Sequence, residues 1–261
     1  MKIIVCLPAR YGSTRLPGKP LLKINNKSII NLVYNRVQKL YNYDFKEHKL
    51  CEIIVLTEDN RIYNEVINFG GKCCIIKEEC VNGTDRIIYY LKQNYSENEI
   101  NNMIIVNVQG DEPFIEPTNI KIAIDNYINK LKDEKMVCST IHYNTQDKDE
   151  ILLKSRGKMV MDNDNNIIYC SRNVIPSCKK YLIIPNFDYS IHIGVFVFRP
   201  SYLLNKYFNN NTRLQLAEDI EWMKIIEQGF KINSIEVKEQ ECGIDTMDDY
   251  IYLLNKYKEC N

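Results

Sequence analysis

Apolar runs of strand length alternate along this chain with segments whose apolar residues recur at helical spacing. Residues 3–7 form an unbroken apolar run, and residues 103–108 form a nearly unbroken one. Such runs are typical of strands buried on both faces of a parallel sheet. Ser28 is suited to cap a helix in which Ile29 and Val33 lie on one face. A strand followed by a returning helix predicts a βαβ crossover.

The same alternation continues to the end of the chain. It predicts strands at residues 3–7, 52–57, 72–76, 103–108, 136–143, 190–198 and 231–237, and helices at 28–40, 59–69, 85–93, 117–131, 214–229 and 247–257. Residues 158–162 and 167–171 flank a turn and predict a hairpin, while residues 173–189 have no regular pattern. We therefore expect one α/β domain over residues 1–261, with a doubly wound, mostly parallel sheet and an excursion at about 144–190.

The loop after the first strand is crowded with glycines, prolines and cations. Arg10, Arg15 and Lys19 place three positive charges within ten residues. Glycine lets backbone N–H groups approach a phosphate, Ser13 adds a hydroxyl donor, and arginine offers a bidentate fork. Because open α/β sheets bind ligands at the carboxyl ends of their strands, we predict a triphosphate-binding loop. The alternative is a solvated basic turn, and the P-loop pattern G-x-x-x-x-G-K-[ST] is absent.

A second loop brings carboxylates to the same predicted edge. Asp111 and Glu112 follow the apolar run that ends at Val108. Mg²⁺ prefers a few protein carboxylates together with phosphate oxygens, so Asp111 is the predicted metal ligand. Capping of backbone N–H groups in a turn is the alternative role for Asp111, and Glu112 is left unassigned. Thr84 is suited to cap the helix that follows it.

Composition excludes several classes of protein. Lys plus Arg (34) equals Asp plus Glu (34), which argues against a nucleic-acid partner. The ten cysteines include no C-x-x-C pair and the three histidines no H-E-x-x-H motif, which argues against a zinc site. No signal peptide or apolar run of spanning length is present, so we expect no membrane partner, reduced thiols and a cytoplasmic location.

Six motifs follow one another over nearly the whole chain. They are P-A-R-Y-G-S-T-R-L-P-G-K-P (8–20), N-G-T-D-R (82–86), V-N-V-Q-G-D-E-P (106–113), H-I-G (192–194), A-E-D-I-E (217–221) and G-I-D-T (243–246). In length and order they resemble the signature of the 3-deoxy-manno-octulosonate (Kdo) cytidylyltransferases. The resemblance implies a nucleotide-diphospho-sugar-transferase-like fold, Mg²⁺ as cofactor, a homodimer, and transfer of a cytidylyl group from CTP to a 3-deoxy-ulosonic acid, in the first place Kdo.

The resemblance also implies roles for individual residues. Together with the predictions above, it gives a nucleotide-binding set of Arg10, Ser13, Arg15, Lys19, Thr84 and Arg86, with Arg10, Lys19 and Asp111 as catalytic residues. It favours Asp245 as a second metal ligand, although that carboxylate is equally suited to cap the last helix. The implied sugar-binding set is Gln109, Arg172, His192 and Glu221, with Arg172 facing the sugar carboxylate. Purely structural roles are the alternative for Arg86 and His192.

Two predicted sugar-facing positions depart from the family pattern. Members of the family commonly have Tyr where this chain has Phe196, and Gln where it has Trp222. Because both changes delete hydrogen-bonding groups, we hypothesise an acid that differs from Kdo at a distal carbon, such as 8-amino-Kdo or a sialic-acid-like sugar. Neutral drift is the alternative. A GT-A-type glycosyltransferase, which usually carries D-x-D, and a non-catalytic nucleotide sensor are the remaining rivals.

Overall fold

The computed structural model describes residues 1–12, 15–207, 211–238 and 243–258. Ser13, one of the predicted nucleotide ligands, lies outside the described residues. The strands are β1 (Lys2–Pro8), β2 (Lys23–Ile24), β3 (Lys27–Ser28), β4 (Lys49–Thr57), β5 (Cys73–Ile75), β6 (Met103–Val108), β7 (Met136–Thr145), β8 (Lys158–Met161), β9 (Ile167–Ser171), β10 (Tyr189–Phe198) and β11 (Lys231–Glu236).

The helices are α1 (Ile29–Gln38), α2 (Asn60–Asn68), α3 (Gly83–Asn94), α4 (Glu97–Asn101), α5 (Pro117–Asn129), α6 (Lys148–Leu152), α7 (Pro200–Tyr202), α8 (Arg213–Glu218), α9 (Met223–Glu227) and α10 (Met247–Lys258). Short 3₁₀ turns occupy Lys19–Leu21 and Lys39–Asn42, and a π-helical turn occupies Leu203–Tyr207. The predicted strands and most of the predicted helices are therefore confirmed. The short helices α4 and α6 were not predicted.

The chain forms two compact units, one of Met1–Lys121 with Gln240–Asn261 and one of Ile122–Glu239. In the first unit β1 pairs in parallel with both β4 and β6, and β5 pairs in parallel with β4. Every side chain of β6 is buried, as the apolar run predicted. Because these strands run in one direction, the segments that follow Pro8, Thr57 and Val108 all emerge at one edge.

Helix caps agree with the sequence in the first unit except at α3. The Ser28 side chain accepts a hydrogen bond from the backbone N–H of Asn31, as predicted. At α3, however, Asn82 is the N-cap, and its Oδ1 accepts from the N–H of Asp85 at 2.8 Å. The prediction of Thr84 as the cap is wrong because Thr84 lies one residue inside the first turn, where it is buried.

In the second unit β7 pairs in parallel with β11 and antiparallel with β10. Strand β8 pairs antiparallel with β10 and also with β9, its partner in the hairpin. The predicted hairpin is confirmed. The single helix predicted at residues 214–229 is wrong, since α8 ends where Asp219 adopts a left-handed conformation with φ of 52°. Consequently Glu218 and Glu221 do not lie one turn apart on a common helix.

The predicted α/β fold with a mostly parallel sheet is confirmed. The prediction of one domain with an excursion at about 144–190 stays a prediction. Among the described residues, no helix combines the length and the apolar character needed to cross a bilayer.

Candidate active site

Three loops of the first unit pack around the end of β1. A Cβ on Gly110 would lie 2.8 Å from the carbonyl oxygen of Pro8, so the turn after β6 approaches the end of β1 as only glycine permits. A Cβ on Gly83 would lie 3.0 Å from the Pro8 side chain, so the start of α3 packs there as well. The motifs at 8–20, 82–86 and 106–113 therefore meet at one place.

Lys19 lies at the centre of this edge. Its buried ammonium group donates to Asp111 Oδ2 at 2.6 Å and to the carbonyl oxygen of Ile244 at 2.6 Å, and it lies 3.5 Å from Asp245 Oδ1. Burial alone would lower the pKa of Lys19, but the charges and hydrogen bonds of Asp111 and Asp245 outweigh it and raise the pKa. One ammonium ion thus brings two carboxylates, 134 residues apart in the chain (245 minus 111), to one point.

The second carboxylate is not a helix cap. At the start of α10 the Thr246 hydroxyl accepts from the N–H of Asp249 at 3.2 Å, and Asp249 Oδ2 accepts from the backbone N–H groups of Asp245 and Thr246 at 3.0 and 2.8 Å. Thr246 and Asp249 therefore cap the helix together. The Asp245 carboxylate faces Lys19 and also Arg15, whose Nη1 lies 3.3 Å away. The capping interpretation of Asp245 is wrong.

The oxygen donors at this point fit a magnesium ion. Among the described residues no group of three or more His, Cys, Asp or Glu side chains gathers around a common point. Two convergent carboxylates are the donor set that Mg²⁺ uses when water and phosphate oxygens complete its shell. Asp111 and Asp245 could therefore hold Mg²⁺.

Arg10 and Gln109 are exposed on the same loops. Within the described part of the chain the Arg10 side chain has no polar partner, so its charge faces solvent. The backbone carbonyl of Gln109 accepts from the N–H of Glu112 at 3.3 Å, which closes a turn that presents Asp111. These two side chains are therefore available to ligands.

A carboxylate that the sequence analysis missed joins two of the predicted nucleotide-binding segments. Glu58, directly after β4, accepts from the backbone N–H of Tyr11 with Oε1 at 2.9 Å and from Arg86 Nη2 with Oε2 at 2.8 Å. The Tyr11 ring also lies 3.3 Å beneath the guanidinium carbon of Arg61. The position of Glu58 at the carboxyl end of a parallel strand was the signal that could have identified it.

Buried polar atoms surround the start of α3. Thr84 Oγ1 accepts from Asn107 Nδ2 at 3.3 Å, and Arg86 is almost fully buried. Arg86 Nε and Asn107 Oδ1 are buried without a partner among the described residues. Unsatisfied buried groups are costly, so their presence beside the phosphate loop is consistent with a polar ligand.

The predicted sugar-binding residues other than Gln109 belong to the second unit. The Thr140 hydroxyl donates to the carbonyl oxygen of Val195 at 2.7 Å, so its oxygen must accept the N–H of His192 Nε2 at 2.9 Å. Burial, together with the nearby His142, lowers the pKa of His192 to about 3. His192 is therefore neutral near pH 7, and its Nδ1 is a hydrogen-bond acceptor.

Two aromatic rings pack against His192. The Phe196 ring lies 4.8 Å and the Trp222 ring 5.1 Å from the imidazole, and both side chains are buried. Glu221, next to Trp222, accepts a short hydrogen bond from the Tyr207 hydroxyl. The two aromatic rings thus form an apolar surface against one polar ring.

Arg172 is held by main-chain carbonyls. Its Nε and Nη2 donate to the carbonyl oxygen of Asp219 at 3.3 and 2.9 Å, and its Nη1 donates to that of Lys154 at 3.1 Å. The nearest described carboxylate is that of Asp219, which is 3.8 Å away and 88% exposed. The guanidinium group is therefore fixed in position while its charge is only weakly compensated.

A family model described as Cytidylyltransferase matches residues 4–234, which gives the class of the protein. The chain is 38% identical over 248 residues to the 3-deoxy-manno-octulosonate cytidylyltransferase of Protochlamydia amoebophila, covering 95% of this chain and 91% of that protein. It is 36% identical to the protein of the same name from Fusobacterium nucleatum, covering 100% and 99%. The chain therefore belongs to the 3-deoxy-manno-octulosonate cytidylyltransferase family of nucleotidyltransferases.

Solved structures agree with this assignment. A CMP:2-keto-3-deoxy-manno-octonic acid synthetase complexed with CTP superposes with a TM-score of 0.84 and 27% identity, covering 100% of both chains. A cytidylyltransferase from Leptospira borgpetersenii has a TM-score of 0.59 and 17% identity, covering 99% of this chain and 87% of its own, which shows a shared fold alone.

Proposed function

We propose that this chain transfers a cytidylyl group from CTP to 3-deoxy-manno-octulosonate and releases pyrophosphate. The observation that carries the proposal is the contact of the Lys19 ammonium group with the carboxylates of Asp111 and Asp245. This contact joins a loop suited to a triphosphate to a carboxylate pair suited to Mg²⁺. The choice of nucleotide and acceptor is supported by the names of the relatives.

The chemistry requires positioning and charge neutralisation rather than a protein nucleophile. The acceptor hydroxyl attacks the α-phosphorus in line with the departing pyrophosphate, so that a new oxygen–phosphorus bond replaces the bond to the β-phosphate and the hydroxyl proton passes to solvent. Arg10, Arg15 and Lys19 supply positive charge to the phosphates as negative charge moves onto the leaving group. Asp111 and Asp245 would hold Mg²⁺, which when bound neutralises phosphate charge and polarises the phosphoryl oxygens.

The start of α3 would hold the nucleoside part of CTP. Thr84 and Arg86 carry buried polar groups there, and Glu58 ties Arg86 to the phosphate loop. The hydroxyl of Ser13, a predicted nucleotide ligand, would complete the set of groups that bind the phosphates. These assignments are supported by the meeting of the three loops at the end of β1.

The acceptor would be held by side chains of complementary kinds. Arg172 is suited to the sugar carboxylate because its charge is only weakly compensated. Neutral His192 is suited to accept a hydrogen bond from a hydroxyl through Nδ1, and Glu221 adds a polar group. Gln109, in the first unit, stays a predicted ligand of the acid.

A second acceptor is favoured by one observation. The buried rings of Phe196 and Trp222 lie against His192 and present little hydrogen-bonding capacity. A site of this kind discriminates weakly against a changed distal substituent, so an acid such as 8-amino-Kdo is the alternative substrate.

The assembly and location are also proposals. Tyr181, Leu182 and Phe187 are exposed apolar residues in the irregular segment before β10, which supports the predicted homodimer. Size-exclusion chromatography with light scattering should give the mass of two chains. The cytoplasmic location stays a prediction from the sequence.

Pyrophosphate release tests the proposed function. We would incubate the enzyme and Mg²⁺ with CTP or UTP, in the presence of Kdo, 8-amino-Kdo, N-acetylneuraminate or no acid. Release that requires both CTP and Kdo supports the proposal, and faster release with 8-amino-Kdo supports the alternative acceptor. Binding of CTP without release under any condition would indicate a nucleotide sensor, and transfer from a nucleotide-sugar donor would indicate a glycosyltransferase.

A further inference from the structure

A buried ammonium group lies beneath the main chain of Arg172. Lys158, the first residue of β8, has 0% of its surface exposed. Its Nζ donates to the carbonyl oxygens of Leu153 at 2.8 Å, Arg156 at 2.7 Å and Arg172 at 2.6 Å. All three N–H donors of the ammonium group are therefore used, and Lys158 forms no ion pair with any described residue.

Lys158 and Arg172 hold the same piece of chain from two sides. Lys158 binds the carbonyls on either side of Lys154 and Ser155, while the Arg172 guanidinium group binds the carbonyl of Lys154 itself. The third carbonyl on Lys158 belongs to Arg172. The Lys158 ammonium group thus fixes both the backbone of Arg172 and the segment whose Lys154 carbonyl binds the Arg172 side chain.

We propose that Lys158 is a positioning residue of the acceptor site, which fixes segment 153–156 and the backbone of Arg172 so that the guanidinium group is oriented toward the acceptor's carboxylate. The inference rests on the proposed function of Arg172. A neutral amine would keep only two donors for three carbonyls, so loss of the proton would release one of the three connections.

The surrounding charges support this role. Burial lowers the pKa of Lys158 to about 8; the Cys170 thiol opposes that shift, and the cations Arg172 and Arg156 add to it. Two carboxylates lie on neighbouring side chains of this region without pairing with Lys158: Glu218 accepts from the hydroxyls of Tyr169 and Ser171, and the exposed Asp219 lies 3.8 Å from Arg172. An acceptor carboxylate bound at Arg172 would add a negative charge and favour protonated Lys158. Acid binding should therefore weaken above about pH 8.

The test compares Lys158→Met with Lys148→Met, an exposed lysine at the start of α6. We expect Lys158→Met to raise the KM for Kdo about tenfold or more and to leave the KM for CTP within about twofold, since one substrate loses its positioned contact. In the wild type, the KM for Kdo should rise above about pH 8 while that for CTP stays level. Lys148→Met should behave as the wild type.

Hydrogen exchange supplies a readout that requires no acid. Lys158→Met should speed amide exchange in segment 153–157 and around residue 172, without a general acceleration. Equal changes in both KM values with uniformly faster exchange would overturn the proposal in favour of a general structural role. Unchanged exchange and unchanged KM for Kdo would also overturn it.

The outcomes separate this inference from the proposed function. If the wild type releases no pyrophosphate with CTP and Kdo, the proposed function fails, and local exchange still decides whether Lys158 fixes Arg172. If Lys158→Met does not fold, the wild-type pH profile decides. A KM for Kdo that rises above about pH 8 supports the role, and a level profile overturns it.

Discussion

The two units differ in the groups that contact their functional cations. In the first unit Lys19, Arg15 and Arg86 each contact a carboxylate, those of Asp111, Asp245 and Glu58. In the second unit Lys158 and Arg172 bind main-chain carbonyls, which carry no net charge.

This difference suits two kinds of ligand. In the first unit a phosphate can bind the cations while a metal ion binds the carboxylates. Before these ligands arrive, the ion pairs hold both sets of charges in place. A carboxylate arriving alone would find a preoriented and only weakly compensated cation in the second unit. Substitutions that remove these charges one at a time should therefore affect different substrates in the two units.

The largest effect should come from removing a carboxylate of the first unit. Asp111→Asn and Asp245→Asn keep the volume but remove a charge from the proposed metal site, and each should lower kcat by at least about 100-fold. Asp248→Asn, an exposed carboxylate in the first turn of α10, is the matched control and should retain activity. Near-normal turnover of Asp111→Asn at saturating Mg²⁺, measured by pyrophosphate release, would remove Asp111 from the site.

Lys19→Ala should have the next largest effect. Its charge matters most as pyrophosphate departs, so kcat should fall about 30-fold while the KM for CTP rises less. Steady-state kinetics in CTP at saturating Kdo would show the division between the two constants. A change confined to KM would mean that Lys19 binds the ground state and the transition state equally.

Glu58→Ala should act more weakly, through the nucleotide segments that it joins. Loss of its hydrogen bonds to Tyr11 and Arg86 should raise the KM for CTP about fivefold, an effect of about 1 kcal/mol. Glu58→Asp should restore part of the affinity. If Glu58→Ala and Arg86→Ala have additive effects on CTP binding, the two residues act independently and the proposed connection is absent.

The last effect is on stability rather than on activity, and it is the pH dependence that His192 contributes. Its folded-state pKa is lowered from 6.5 to about 3, so between these values the unfolded chain binds the extra proton and stability falls as pH falls. Urea unfolding of the wild type should show lower stability at about pH 5 than at pH 7, and His192→Gln should reduce that difference. An unchanged difference in the variant would assign the effect to other groups, His142 first.

The first unit was largely predictable from sequence because its functional residues follow uninterrupted strands in short motifs. Asp111 lies in the short turn after β6, and parallel strands bring their carboxyl ends to one edge. The cap at α3 was misassigned because Asn82 and Thr84 are both good capping residues, and only the backbone geometry decides between them. Glu58 was missed because no motif marks it, although its place after β4 was visible.

The second unit was less predictable because its geometry depends on backbone carbonyls. The left-handed Asp219 divides a continuous amphipathic pattern into α8 and α9, and apolar spacing cannot reveal one residue with positive φ. Lys158 gave no signal, since a lysine in a hairpin is normally exposed. The tautomer of His192 likewise follows from the donation of Thr140 to Val195, a contact between strands.

The central claim concerns a covalent product, so the most direct measurement is its identification. The enzyme, Mg²⁺, CTP and Kdo would be incubated together. The products would be separated by anion-exchange chromatography and their masses determined by mass spectrometry. We predict one CMP-linked Kdo for each pyrophosphate released, with no product when Kdo is omitted. Free CMP in place of a CMP-linked acid, or CTP left intact with every 3-deoxy-ulosonic acid supplied, would contradict the account.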